Sequence, residues 1–379
     1  MRVDTDRFGP FTFQLGVNMP SLDGLLLRVG DAHKRFKASP LSQVAGRLEK
    51  EVVVSTVFGT NSIEGGTLSV EETEEALGLT PAQVEDIEQR RAINLKNGYE
   101  LAQQAAIQPG WQLSVAFIRQ IHSVVTDQLP HEHNRPGLLR DNPKGVVTRV
   151  GNQEHGGIYK PPQFGKDIDR LLHCLIEWHQ QLIEERVPVL IRAPLVHFYY
   201  ELIHPFWDGN GRVGRVLEAA LLQAEGYQYT PLVQSRYYLE HIHSYFTLFN
   251  ITRRQAEKKS EAPNADFVTF FLEGVLVSIN NLHNRVNALI GQILFENEIK
   301  RLHDDKEINA RQYAIATQVM AAGKPVALSA MRKAPWYRAL YIKLTDKTKQ
   351  RDLKKLRELG VVVLDEVNQL LPGCGGVGK

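Results

Sequence analysis

Two apolar helical patterns meet at a stretch of chain that cannot itself be helical, and that junction constrains the fold of this 379-residue sequence more than any other part. Arg192 to Ile203 reads as a helix that stops at His204, because a residue preceding proline is pushed out of the helical region. Val213, Val216, Leu217, Ala220, Leu221 and Ala224 then recur at helical spacing until Gly226 closes a second helix. Between them lies HPFWDGNGRVGR, His204 to Arg215. Whatever this loop does, two apolar helices hold it.

Helical periodicity dominates the rest of the chain as well. After a proline-containing, extended start, residues 40–64 read as helix, although Val52, Val53 and Val54 would also suit a strand. Gly65-Gly66 ends it, and Ser69 with Glu72 forms a capping box for a helix to about Leu77. Further helices are expected over 82–107, 114–128, 166–185 and 266–303. Prolines and glycines forbid a long helix around 130–165, and VVTRV with GGIYK predicts a two-stranded element over 146–160. The polar segment AEKKSEAPNAD, 256–266, reads as a joint. Beyond it, helices near 308–322, 328–334 and 345–359 precede GVVVLDEVNQLLPG, two short strands around a turn, which together suggest a winged helix-turn-helix. The expected fold is mainly α. Its divisions are an N-terminal helical region (1–110), a core (111–256), a connecting helix (266–303) and a winged module (304–379).

Composition limits the partners. A formal charge of +2 is too small for wholesale binding to nucleic acid or anionic membrane, so any basic site is local. Cys174 and Cys374 give neither a disulfide framework nor a metal spacing, which suits a reducing compartment. No targeting segment or apolar span is evident in the sequence, and a cytoplasmic protein without a membrane partner is expected.

The loop carries a concentrated set of chemistry. Gly209-Asn210-Gly211 stands at a helix N-terminus, where glycines let backbone N–H groups converge and the helix dipole adds positive charge, so a phosphate is at home there. Arg212 and Arg215 lie on one helical face and can hold further phosphate oxygens. Asp208 is a hard oxygen ligand suited to Mg²⁺ bridging phosphates, and His204 has the chemistry of a general base. Phe206 reads as the loop's apolar anchor.

These residues resemble the HxFx(D/E)GNGRxxR signature of the Fic family, with no departure at a fixed position. The resemblance implies a Fic helical core with a small β-hairpin flap, and transfer of AMP from ATP to a Ser, Thr or Tyr hydroxyl of a target protein, itself included among the candidates. Gly211, where Doc-like kinases carry lysine, favours nucleotidyl transfer. By the same resemblance His204 would deprotonate the hydroxyl and Asp208 would hold Mg²⁺. Asn210 with the Gly209 and Gly211 backbone would orient the α-phosphate, Arg212 the β-phosphate and Arg215 the γ-phosphate.

A second motif lies upstream. Glu64 sits in the last turn of a helix, facing the negative end of its dipole at a cost of up to ~1 kcal/mol unless a cation compensates. Thr60-Asn61-Ser62-Ile63-Glu64-Gly65 resembles the family's (S/T)xxxE(G/N) inhibitory motif, in which the glutamate pairs with the second loop arginine, here Arg215. That implies a restrained basal activity.

The 146–160 hairpin resembles the family flap, with Ile158 and Tyr159 flanking the target residue by strand addition. Tyr245 and Phe246 resemble the aromatic pair facing adenine. His131, Glu132 and His133 look metal-like but read as solvated, as do His241 and His243. Between residues 343 and 358 stand seven basic residues against three acidic ones, so the winged module is a candidate for contact with DNA or protein. A homodimer is expected from family habit. Two rivals stay open: a DNA-binding regulator that uses the loop as a nucleotide sensor, and transfer of another nucleotide such as UMP.

Overall fold

A computed structural model describes residues 1–373; Cys374 lies outside them. The chain forms two compact units, one of Met1–Ala38 with Leu48–Leu282, the other of Ser39–Arg47 with the chain from His283 onward.

The first unit opens with a hairpin of β1 (Arg2–Asp4) and β2 (Pro10–Thr12), Val3 opposite Phe11. Its turn is held by Asp167, whose carboxylate accepts the amides of Asp6, Arg7 and Phe8 at 2.8, 3.0 and 3.1 Å. There follow α1 (Met19–Lys37), α2 (Ala45–Ile63), α3 (Val70–Leu77), α4 (Ile87–Ala106) and α5 (Val115–Val125). Val52 and Val54 are helical and buried in α2, so tertiary burial overrides their strand preference. Ser69 and Glu72 make the expected capping box of α3. The hairpin and α1 are additions to the sequence reading: three-residue strands are too short to show a period, and Gly24 and Gly30 weaken the helical pattern of α1.

After a long irregular segment come α6 (Gly165–Glu184), α7 (Val189–Ile203), α8 (Asn210–Ala224), α9 (Thr230–Glu240) and α10 (Ile242–Glu257). Every residue of α7 from Val189 to Tyr200 is buried, and α8 is buried nearly all round among α4, α5, α7 and α9. A helix apolar on all sides belongs at the centre of a core. The loop between α7 and α8 is therefore carried by the most deeply packed pair in the unit.

The expected two-stranded element over 146–160 is reduced to one bridge, in which the N–H groups of Val150 and Tyr159 donate to each other's carbonyls at 2.9 and 2.8 Å. Gly151, Gly156 and Gly157 all have positive φ (85°, 85° and 116°), and Pro161 and Pro162 have no N–H to extend a ladder.

The forty-residue helix α11 (Ala265–Asp304) runs through the change of unit after Leu282, so the units divide inside it and not at the 256–266 loop. By length and composition α11 could cross a membrane, which the sequence reading did not anticipate. More than half of its apolar window is buried inside the fold, as befits a core helix. The second unit adds α12 (Ala310–Ala321), β3 (Val326–Ala327), α13 (Leu328–Lys333), α14 (Pro335–Leu340), α15 (Asp346–Glu358), β4 (Val362–Leu364) and β5 (Gln369–Pro372), its strands antiparallel in the order β3-β5-β4. Its core includes Ile315, Tyr337, Leu356 and Leu370. Buried Asp352 joins α15 to α12 by accepting from Arg311 Nε at 2.9 Å and from Tyr341 Oη at 3.0 Å. The sequence reading lacked α14 and β3; Pro335 ends α13 and starts α14 at a position where it costs no hydrogen bond.

Candidate active site

His204 caps α7 in the left-handed region (φ 49°, ψ 63°), a conformation that a non-glycine residue keeps only when its surroundings hold it. Arg140 does so. Its side chain is fully buried; Nε donates to His204 O at 2.6 Å, Nη1 to Asn142 Oδ1 at 2.7 Å and Nη2 to Pro162 O, while its main-chain N–H donates to Pro205 O at 2.9 Å. The imidazole of His204 is thereby turned toward the cavity with its Nδ1 buried and unbonded among the described residues, 3.7 Å from Glu201 Oε2.

The rest of the loop is fixed from below and from within. Phe206 is fully buried and lies parallel on the His122 ring, centroids 3.6 Å apart. The Gly137 N–H donates to His122 Nδ1 at 2.9 Å, so Nε2 carries the proton and donates to Asp208 O at 3.0 Å. Burial, helped by the charge of Arg212 and opposed by the bond to Asp208, lowers the His122 pKa to about 4, so the ring stays neutral. Asn210 closes the turn: its Oδ1 accepts the Phe206 N–H at 2.9 Å and its Nδ2 donates to Phe206 O at 2.8 Å. This pairing fixes the Asn210 side chain across the loop. One Nδ2 hydrogen is left over, and the first-turn amides of α8, without carbonyl partners inside the helix, are further donors available to an anion.

Arg212 Nη2 donates to Asp208 Oδ2 at 2.5 Å. Burial alone would raise the Asp208 carboxyl, but Arg212 and the Gly209 N–H hold it below the usual carboxylate range. An ionised oxygen donor beside a turn of free helix N-terminal amides has the chemistry to hold Mg²⁺.

Arg215 is 2% exposed and heads a chain of polar contacts. Its Nη2 donates to Glu64 Oε1 at 2.5 Å and to Thr60 O at 3.4 Å, and its Nη1 to Tyr245 Oη at 3.3 Å. Tyr245 Oη lies 3.2 Å from His197 Nε2, and His197 Nδ1 2.7 Å from Glu218 Oε2, which also accepts from Tyr238 Oη at 2.9 Å. Burial would lower the Arg215 pKa, but Glu64 outweighs it and keeps the guanidinium charged. A Cβ placed on Gly211 would strike Glu64 Oε1. The glutamate carboxylate therefore lies directly over the backbone of the anion-binding turn.

A cavity of about 390 Å³ unites these groups: Glu64, His204, Gly211, Arg215 and Phe246 line it together with Tyr159. Tyr245 is buried with its ring stacked on Tyr238 at 4.5 Å, so it braces Arg215, while Phe246 and Phe249 supply the apolar wall. Tyr159 faces the cavity with Arg253 over its ring at 5.1 Å, and Ile158 points outward, 50% exposed. His131 caps its own loop, its Nδ1 accepting the Asn134 N–H at 2.9 Å.

The neutral buried histidines make stability pH-dependent. His179 is also lowered to about 4, by burial and then by Arg192. Unfolded histidine binds a proton near pH 6.5. The stabilisation from both rings is therefore complete above that pH and is lost as the pH falls toward 4, by up to about 3 kcal/mol each. Thermal unfolding at pH 7.5 and 5 is expected to show a lower Tm at pH 5, with a smaller fall in His179→Gln; equal falls in both proteins would contradict this.

Residues 112–222 match the family model described as Fic/DOC family. The protein adenylyltransferase Fic of Nematostella vectensis is 26% identical over 191 residues, covering 48% of this chain and 40% of that protein, so the chain spans less than half the length of this relative. Among solved structures, a Fic domain containing signaling protein of Bacteroides thetaiotaomicron superposes with a TM-score of 0.57 at 20% identity, covering 69% of this chain and 97% of that one. A Fic family protein of Desulfovibrio desulfuricans superposes at 0.56 and 17% identity, covering 97% and 98%. The region that matches the Fic/DOC family model, residues 112–222, contains the whole loop, all of α7 and all but the last two residues of α8.

Proposed function

We propose that the chain is a protein adenylyltransferase, transferring AMP from ATP to a Ser, Thr or Tyr hydroxyl of a target protein, and that Glu64 restrains it. The observation that carries this reading is the shared cavity, where the His204 imidazole, a glycine turn at a helix N-terminus and a charged arginine meet. In the reaction His204 takes the hydroxyl proton as the oxygen attacks the α-phosphorus; the bond from that phosphorus to the bridging oxygen breaks and pyrophosphate leaves. First-turn amides of α8 stabilise the charge on the α-phosphate, and Arg212 and Arg215 hold the outer phosphates in line. Mg²⁺, when held by Asp208, supplies charge neutralisation to the phosphates. Tyr159 and Phe246 bound the base and target side of the cavity, and Ile158 is free to contact an added target strand.

The restraint has a direct physical basis in this reading. Glu64 occupies both the Arg215 guanidinium and the space above Gly211, so a γ-phosphate and the glutamate compete for one arginine. In the second unit we read α12, α13, α15 and the hairpin β4–β5 as a winged helix; its Lys347, Arg351, Lys354 and Arg357 are exposed on α15, which suits contact with an acidic surface such as DNA.

Labelled nucleotides test the reaction class. With Glu64→Gly, label from α-labelled ATP is expected to enter protein and label from γ-labelled ATP is not. Entry of the γ-label would make the chain a kinase, and transfer only from α-labelled UTP would replace AMP by UMP.

A further inference from the structure

The segment 151–157, which forms one wall of the cavity, is folded as a tight turn and tied to one face of α10. His155 N–H donates to Asn152 Oδ1 at 2.8 Å and Gly157 N–H to Asn152 O at 2.8 Å, while Asn250 Nδ2 donates to the carbonyls of His155 and Gly157 at 2.9 and 3.1 Å. Arg254 adds a bond to Gly156 O. His243, Thr247, Asn250 and Arg254 recur at helical spacing, so one face of α10 receives the turn and His243 stands at its end.

Three ligand-type atoms converge there. His155 Nε2 lies 3.2 Å from His243 Nδ1, and Glu154 Oε1 lies 3.6 Å from that same nitrogen; all three are within 4.8 Å of one another. Two imidazole lone pairs do not face each other at this distance without a proton or a cation between them. A tetrahedral zinc with Zn–N of about 2.0–2.1 Å separates neighbouring ligand nitrogens by about 3.3 Å. His243 reads as solvated in the sequence because its partner His155 stands 88 residues away.

We propose that Glu154, His155 and His243 form a binding site for a zinc-class divalent ion, with solvent completing the coordination. Two imidazoles and one carboxylate select Zn²⁺, Co²⁺ or Ni²⁺ over Mg²⁺, which requires near-octahedral oxygen ligation. The site is separate from Asp208, which does not line the cavity. Its physical effect is to pin the 151–157 turn to α10 at the rim of the cavity, fixing His155 against Phe246, whose rings are 5.1 Å apart. The ion's affinity falls in acid, since protons compete for the imidazole lone pairs.

The full chain, stripped with a chelator, is titrated with Co²⁺ alone. The expected result is one equivalent bound with the intense visible bands of tetrahedral cobalt, bands abolished by one equivalent of Zn²⁺ and unaffected by excess Mg²⁺. His243→Ala, at an exposed position that leaves the fold intact, and Glu154→Gln weaken binding at least tenfold, whereas Asp208→Asn leaves it unchanged. Zn²⁺ also raises the Tm of the parent chain and not that of His243→Ala. Absence of the bands, or bands undiminished in His243→Ala, would overturn the proposal.

Discussion

Glu64→Gly is expected to raise AMP incorporation by about ten- to a hundredfold while lowering the Tm by several degrees. Both effects come from one contact. The Glu64–Arg215 hydrogen bond of 2.5 Å is charge-assisted and mostly buried, and such bonds contribute about 1.5–3 kcal/mol. That energy currently opposes any ligand that needs Arg215, so its removal returns one to two powers of ten to a bound γ-phosphate. The same removal leaves a buried guanidinium with only Tyr245 Oη and Thr60 O as acceptors, which destabilises the unliganded chain. ATP is therefore expected to restore the Tm of Glu64→Gly more than it raises that of the parent. Glu64→Gln separates charge from bulk: it keeps an atom over Gly211 and loses the negative charge, so its activity should fall between the other two. If Glu64→Gln matched the parent, occupation of the space above Gly211 would be the whole restraint.

His204→Ala is expected to reduce transfer by about 10²–10⁴-fold in the Glu64→Gly background, the range for loss of a positioned general base. Its imidazole makes no hydrogen bond among the described residues, and the loop is held through its carbonyl by Arg140, so the fold should survive. ATP affinity, assigned in the proposed reaction to the α8 amides and the arginines, should change little. A variant that lost ATP binding along with transfer would show that the ring serves the loop's structure, and the base would have to be sought elsewhere, with Glu201 next in line at 3.7 Å.

What could be read from the sequence was the part whose residues stand close together. The loop from His204 to Arg215 declares itself in twelve residues, and Glu64 became legible only because a short motif accompanied it. The supports were hidden. Arg140 reaches the carbonyl of His204 across 64 positions and His122 reaches that of Asp208 across 86; each looks locally like one more polar residue on or beside a helix. The His197–Glu218 pair lies on two helices that are buried all round, where periodicity carries no information about which side chain faces which. The structural part of Asn210 was hidden for a related reason: residue type fits both a phosphate contact and a turn closure, and only the geometry shows that both atoms bond Phe206. The 146–160 element reads as a hairpin from VVTRV and GGIYK, yet residue type does not reveal that Gly151, Gly156 and Gly157 all take positive φ and that pairing stops at one bridge.

The proposed restraint is that Glu64 holds Arg215 away from the nucleotide. The direct measurement is the initial rate of α-labelled AMP incorporation at saturating Mg²⁺ and equal protein concentration, for the parent chain, Glu64→Gly and Glu64→Gly/His204→Ala. The expected result is a slow parent, a single variant at least tenfold faster and a double variant near background. Equal rates for the parent and Glu64→Gly would contradict it.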